Sequence, residues 1–132
     1  MGIDQIKIIE ISKIRDERGT LSVIEKDVLP FEMKRVYYLY DVPSDAYRGG
    51  HAHLEQQEFL VALSGSFNVV MKDINEAKRV VTLNKPTKGL LIPNMIWREL
   101  DNFSSGAVCL VIASGVFIEE DYIRDYGTFL NY

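Results

Sequence analysis

The sequence predicts an all-β fold, a small closed barrel or jelly roll that ends in a short C-terminal helix or tail. Two observations lead to this prediction. Short alternating segments rich in Val, Ile, Tyr and Phe, which favour strands, follow one another along the chain. Turn sequences of Gly, Pro, Asn, Asp and Ser separate them at short intervals. Because many short strands in a small domain hide their edges best by closing on themselves, we expect a barrel.

The predicted strands begin at the N-terminus with IKIIEI and, after the turn DERG, TLSVIE. The segment MKRVYYLYDV alternates, so Arg35, Tyr37 and Leu39 share one face and the residues between them share the other. EFLVALSGSFNVVMKD predicts two strands joined at SGS, where Gly65 eases the turn. Further strands are predicted in KRVVTLN, KGLLIP, IWREL and AVCLVIAS, and EEDYIRDYGTFL predicts the short helix or tail.

Size and charge exclude several classes of protein. A chain of 132 residues with 47% hydrophobic and 26% charged residues predicts one globular domain over 1–132. The net charge of -4 gives no footprint for nucleic acid. The N-terminus lacks a signal-peptide pattern, and no apolar run reaches the roughly 18 residues of a membrane helix, so we expect a cytoplasmic protein with no membrane partner. The single cysteine, Cys109, cannot form an intrachain disulfide and is expected to be buried.

Both histidines of the chain stand in RGGHAH, residues 48–53. On a strand, His51 and His53 are two residues apart and therefore face the same side. If that side faces into a barrel, two imidazoles converge in a pocket, and Gly49 and Gly50 permit the bend in front of them. The alternative is a surface strand with two solvated histidines.

The spacing HxH-x4-E-x6-G, through Glu58 and Gly65, resembles the first metal-binding motif of the cupins, a family of small β-barrels. The second cupin motif, P-x-G-x-x-H, is altered here, with Pro93 in place but Arg98 at the last ligand position. Arginine has no lone pair to give and would repel a divalent ion. We therefore predict a metal-free site, with a facial triad of two His and one Glu as the alternative.

Five segments resemble the sugar-nucleotide 3,4-ketoisomerases of the cupin superfamily, in the same order over nearly the whole chain. This resemblance implies a single cupin domain, a homodimer and an enzyme without metal or organic cofactor. It implies that the ketone of dTDP-4-keto-6-deoxyglucose moves from C4 to C3 through an enediolate, which supplies 3-amino-sugar synthesis for lipopolysaccharide and other surface glycans. The segments are DERGTLSVIE (16–25), FEMKRVYYLYDV (31–42), RGGHAH (48–53), GLLIPNMIWREL (89–100) and IEEDYIRDYGTF (118–129).

The implied reaction needs a base, a proton shuttle and groups that face the developing oxyanion. His51 is the candidate base at C3, and His53 is either the second shuttle or the group that orients the first. Tyr37 is expected to hydrogen-bond the sugar oxygens. Arg98 is expected to stabilise the enediolate from the position of the missing metal.

The diphosphate needs cationic anchors, and guanidinium groups suit phosphate oxygens. Arg18 and Arg48 match the positions that the family uses for this purpose, and Arg35 is a weaker candidate. Trp97 stacks on the thymine or the sugar, or it belongs to the core. Glu58 is expected to hydrogen-bond an imidazole. Two further arginines, Arg79 and Arg124, are expected to be ordinary surface groups.

Three other functions stay open at this point. The related dTDP-4-keto-6-deoxyglucose 3,5-epimerases use the same C–H acidity at C3 and C5. A metal-dependent cupin oxygenase or isomerase would use the facial triad. A non-catalytic sugar-nucleotide-binding cupin would use the arginines alone. Neither the configuration of the product at C4 nor the mode of dimerisation, in which an N-terminal strand could cross to a neighbour's sheet, follows from the sequence.

Overall fold

The computed structural model describes residues 2–132, and nearly all of their regular structure is β. Twelve strands form within these residues, and one short helix, α1, spans Tyr126–Leu130. Two 3₁₀ turns lie at Ile3–Gln5 and Glu119–Asp121. The strands are β1 (Lys7–Glu10), β2 (Lys13–Asp16), β3 (Gly19–Ser22), β4 (Arg35–Leu39), β5 (Arg48–His53), β6 (Glu58–Ser64), β7 (Phe67–Lys72), β8 (Lys78–Leu83), β9 (Lys88–Ile92), β10 (Trp97–Asp101), β11 (Val108–Ala113) and β12 (Tyr122–Ile123).

Two antiparallel sheets of five strands each build the body of the chain between residues 2 and 132. One sheet has the order β1-β9-β6-β11-β4 and the other β12-β5-β10-β7-β8. Strands β2 and β3 form a separate two-stranded hairpin. The all-β jelly roll of cupin type that the sequence predicts is confirmed.

Successive side chains along the strands alternate between the core and the outer face of the sheet, as the sequence predicts. Strand β7 reads buried and half-buried in turn, with Phe67, Val69 and Met71 in the core. In β4, Tyr37 and its inward neighbours are half-buried, while Val36 and Tyr38 are exposed. The two inward faces meet in one large hydrophobic cluster, so the core lies between the sheets and holds them at a fixed separation.

The C-terminal segment closes over the outer face of the second sheet. Asp125 caps the helix α1 by accepting a hydrogen bond from the backbone N–H of Thr128 at 2.9 Å. Phe129 of α1 is fully buried and packs with Trp97, Ala52 and Ile123. The predicted short C-terminal helix is therefore present. Among residues 2–132, no helix has the length and hydropathy that crossing a membrane requires.

Candidate active site

Strand β5, which carries the RGGHAH segment, bends at Gly49. Gly49 has a φ of 98°, and a Cβ there would lie 2.9 Å from a methyl group of Leu100. The pairing of β5 with β10 shifts by one residue here, with Arg48 opposite Leu100 and His51 opposite Arg98. The resulting bulge turns Arg48 and His51 towards the same side, although they are three residues apart.

That side faces a cavity of about 400 Å³ between the two sheets, a size that suits a small ligand. Six of the residues predicted for the site line this cavity. The cavity wall includes His51, Tyr37, Arg35, Arg48, Arg98 and Glu58.

His51 lines the cavity and has one unpaired ring nitrogen among residues 2–132. Its Nδ1 contacts the carbonyl oxygen of Gly49 and donates to it, since a carbonyl only accepts. The lone pair therefore lies on Nε2, which is buried without a hydrogen-bond partner among residues 2–132. Burial and the positive charge of Arg98 lower the pKa of His51 to about 3, so the ring is neutral at physiological pH.

Glu58 is the centre of a buried polar cluster. Arg98 Nη1 donates to its Oε1 at 2.6 Å, and the Tyr37 hydroxyl donates to its Oε2 at 2.7 Å. Burial alone would raise the pKa of Glu58, but the charge of Arg98 and the hydrogen bond from Tyr37 hold it well below its usual range. Burial and the Glu58 carboxylate raise the pKa of Tyr37, which keeps its hydroxyl protonated.

His53 lies behind the cavity wall and is fully buried. Its ring is edge-on to that of His51, with 4.9 Å between centroids. Nε2 lies 3.5 Å from Glu58 Oε2, and Nδ1 donates to Asp121 Oδ2 at 2.9 Å. Of the two roles predicted for His53, its position behind the wall favours an orienting role over direct contact with a ligand.

The C-terminal segment contributes three side chains for which the sequence predicts no role in the site. Asp121 binds His53, and the Tyr122 ring packs on both imidazoles, with centroids 5.0 Å from His51 and 4.4 Å from His53. Arg124 lines the cavity, and its guanidinium carbon lies 4.3 Å from the centroid of the Tyr122 ring. The available signal is the IEEDYIRDYGTF segment, which resembles the family but does not indicate a role for its residues. Arg124 is 53% exposed and pairs with Glu119, as expected of a surface arginine, but it also lines the cavity.

Two predicted site residues lie away from the cavity. Trp97 neighbours Arg98 on β10, so alternation sends its ring to the opposite face, where Tyr126 and Phe129 cover it. Its indole N–H donates to Glu99 at 2.8 Å, which corresponds to the core alternative rather than to stacking on a ligand. Arg18 lies at the exposed β2–β3 hairpin and pairs with Asp16.

The cupin motif raises the question of a metal. His51, His53 and Glu58 offer atoms that lie within 4.8 Å of one another, close enough to surround an ion. Both oxygens of Glu58 are already engaged, one of them by the permanently charged guanidinium of Arg98. A divalent cation would lie beside that fixed positive charge. The residues present therefore do not fit a metal.

Comparison with known proteins identifies the family. The model of the WxcM-like, C-terminal (FdtA) family matches residues 4–132. The chain belongs to this family. It is 42% identical over 127 residues, 96% of this chain and 91% of the relative, to the TDP-4-oxo-6-deoxy-alpha-D-glucose-3,4-oxoisomerase of Aneurinibacillus thermoaerophilus.

Solved structures of the family superpose closely. A histidine-to-asparagine mutant of the 3,4-ketoisomerase QdtA from Thermoanaerobacterium thermosaccharolyticum, in complex with TDP-4-keto-6-deoxyglucose, matches with a TM-score of 0.95, 36% identity and coverage of 98% of this chain and 94% of that one. A 3,4-ketoisomerase from Helicobacter canadensis matches with a TM-score of 0.92, 42% identity and coverage of 96% and 95%. The family predicted from the sequence is confirmed.

Proposed function

We propose that this chain is a sugar-nucleotide 3,4-ketoisomerase that moves the ketone of TDP-4-keto-6-deoxyglucose from C4 to C3. The family, the named activity of the 42% identical relative and the substrate complex of QdtA support the choice of reaction. One observation of this structure carries it: His51 lines a cavity together with arginines, and its buried Nε2 has no hydrogen-bond partner among residues 2–132.

His51 is the base in this proposal. The ketone at C4 acidifies the hydrogen at C3, and Nε2 removes that proton to leave an enediolate over C3 and C4. The resulting imidazolium returns a proton at C4, while one proton leaves O3 and one is gained at O4. The negative charge of a bound diphosphate raises the basicity of His51 relative to the empty cavity.

Tyr37 and Arg98 face the sugar oxygens. Three of the five N–H donors of Arg98 are used within the protein, on Glu58 and on the carbonyl of Ile96. The remaining donors and the fixed charge are available to the enediolate oxygen. Because Glu58 holds both side chains, the oxyanion site is organised before the substrate arrives.

The arginines near the mouth of the cavity anchor the diphosphate. Arg48 and Arg35 line the wall, and Arg124 joins them from the C-terminal segment. Arg35 also donates to Gln56 at 3.1 Å, which fixes its direction. Guanidinium groups held in this way match phosphate oxygens through paired hydrogen bonds.

We assign the working form to a homodimer, in which the hairpin β2–β3 packs on a second copy. Ile14 and Leu21 are cross-strand partners on one face of the hairpin, and both are more than half exposed. Strand β4 is the last strand of its sheet and leaves Val36 and Tyr38 exposed. The apolar hairpin face fits this apolar edge of a second copy, and Arg18 then approaches the partner's cavity.

The test is a time course with TDP-4-keto-6-deoxyglucose in heavy water, with a chelator present, followed by carbon and proton NMR. We expect the carbonyl signal to move from C4 to C3 without deuterium at C5. His51→Asn should lower kcat by about 10²- to 10⁴-fold while TDP affinity changes little, because the base acts only in the transition state.

Other outcomes identify the competing functions. Exchange at C5 with the ketone retained at C4 would mean a 3,5-epimerase. Tight TDP-sugar binding without any movement of the carbonyl would mean a binding protein. Activity that disappears with the chelator and returns with a divalent metal would overturn the metal-free mechanism.

A further inference from the structure

Asp121 accepts one hydrogen bond from the buried ring of His53 and two from the backbone. The carboxylate lies on the 3₁₀ turn Glu119–Asp121 and is 8% exposed. Its Oδ2 accepts from His53 Nδ1 at 2.9 Å and from the Gln56 backbone N–H at 3.3 Å. Its Oδ1 accepts from the Glu55 backbone N–H at 2.9 Å. These contacts fix the carboxylate from two sides.

This arrangement selects one tautomer of His53. Donors converge on both carboxylate oxygens of Asp121, so the oxygen that faces the ring acts as an acceptor. In a neutral His53 ring the single hydrogen is therefore on Nδ1, in agreement with an Nε2 that makes no hydrogen bond among residues 2–132. Nε2 is left facing Glu58 Oε2 at 3.5 Å without a hydrogen to donate.

The tautomer matters because Tyr37 uses the same Glu58 oxygen. The Tyr37 hydroxyl donates to Oε2 at 2.7 Å. A hydrogen on His53 Nε2 would give Oε2 a second, competing donor and would weaken the bond that aims Tyr37 into the cavity. The Nδ1–H form leaves Oε2 to Tyr37.

We propose that Asp121 is a positioning residue, which fixes His53 as the Nδ1–H tautomer so that Glu58 keeps Tyr37 aimed at the substrate. The consequence for turnover rests on the proposed isomerase function. The consequence for the tautomer does not, because it concerns the protein without substrate.

Asp121→Asn is the variant that tests this. Asparagine keeps the shape and can still accept the Glu55 N–H through its oxygen, which turns its NH₂ group towards His53. An amide donor facing Nδ1 forces the ring hydrogen to Nε2, a change of tautomer that disables other carboxylate–histidine pairs. The matched control is Glu120→Gln, the same chemical change on the neighbouring, exposed residue of the same turn.

The first readout is ¹⁵N NMR of the imidazole rings without substrate. The chain has only two histidines, so the spectrum of His51→Asn assigns the remaining ring to His53. We expect Nδ1–H for both rings in the wild type. Asp121→Asn should move the hydrogen of His53 alone to Nε2, and Glu120→Gln should change neither ring.

The second readout is steady-state kinetics. We expect Asp121→Asn to lower kcat about 10- to 100-fold, the usual cost of losing a carboxylate that orients a histidine. The affinity for TDP should stay within about two-fold, since the anchors are untouched. Asp121→Glu, which keeps an acceptor, should return the Nδ1–H signal and part of kcat.

Two results would overturn the proposal. One is a wild-type spectrum with the His53 hydrogen on Nε2, which needs no variant and so holds even if Asp121→Asn fails to fold. The other is a changed tautomer with kcat within two-fold of wild type. A wild-type enzyme that never moves the carbonyl would instead refute the proposed function, whatever the tautomer.

Discussion

Two arginine–carboxylate pairs of nearly equal length lie in contrasting regions of the molecule. In the cavity wall, Arg98 lies 2.6 Å from Glu58, with side chains 1% and 2% exposed. In the hairpin β2–β3, Arg18 lies 2.8 Å from Asp16, with side chains 86% and 45% exposed. The comparison shows that burial, rather than distance, decides what an ion pair does. Water screens the charges of the hairpin pair. In the cavity wall, each buried charge depends on the other to compensate for its lost hydration.

The difference also separates two functional roles for arginine. Arg98 cannot leave Glu58 without leaving a buried carboxylate unpaired, so it is a fixed part of the proposed oxyanion site. Arg18 can exchange Asp16 for another anion at little cost, because both groups are already hydrated. The hairpin arginine is therefore suited to a ligand or a second copy that arrives from outside.

The largest effect that tests this comparison is on stability. Arg98→Met leaves Glu58 buried and uncompensated, so we expect the free energy of unfolding to fall by about 3–5 kcal/mol. Arg18→Met makes the same replacement in the exposed pair and should leave the free energy of unfolding unchanged within error. Urea denaturation followed by circular dichroism measures both.

The double variant Arg98→Met with Glu58→Leu sharpens the result. It removes both charges, so much of the lost stability should return. Equal losses for Arg98→Met and Arg18→Met would show that burial does not distinguish the two pairs.

The residues that the sequence predicts correctly are those governed by local periodicity. The i, i+2 spacing places His51 and His53 on one face of β5, and the alternation of β4 turns Tyr37 inward. Arg98 is found in the site because it occupies a motif position on β10, opposite His51. Neighbouring residues on a strand face opposite sides, so Trp97 points away from the cavity because Arg98 points into it.

What the sequence could not supply are contacts between distant segments. His53 and Asp121 are 68 residues apart, and no spacing rule connects them. Arg124 carries no local pattern that distinguishes it from a surface arginine, and only the packing of its segment on Tyr122 brings it to the cavity. The bulge at Gly49 could be expected as a bend, but its effect on Arg48 required the pairing with Leu100.

The next effect concerns the hairpin and is a change of oligomeric state. Ile14→Asp places a charge on the apolar hairpin face, and we expect the mass in solution to fall from twice 15.1 kDa to one chain. The fold should survive, because Ile14 is 65% exposed in the single chain. Light scattering after size-exclusion chromatography measures the mass.

Val80→Asp is the matched control for this variant, since Val80 is 50% exposed on β8, the last strand of the other sheet. It should stay dimeric. If Arg18 serves the partner's cavity, Ile14→Asp should also raise KM, and Arg18→Ala should do the same in the dimer. A wild type that is monomeric at all concentrations, or an Ile14→Asp variant that stays dimeric, would refute the hairpin interface.

The smallest expected effect is on the pH profile of kcat/KM, in which His51 should show no titration between pH 8 and pH 5. An exposed histidine with an ordinary pKa near 6.5 would lose about 30-fold of its basic form between pH 8 and pH 5. Burial and Arg98 lower the pKa of His51 to about 3, so its neutral, basic form persists throughout this range. Because kcat/KM reports the free enzyme, its profile should stay nearly flat from pH 8 to pH 5, with circular dichroism as the check on folding. A fall in kcat/KM with a midpoint near 6.5 would mean that His51, the proposed base, is solvated as Arg18 is. The contrast between the buried cavity wall and the exposed hairpin would then not extend to His51.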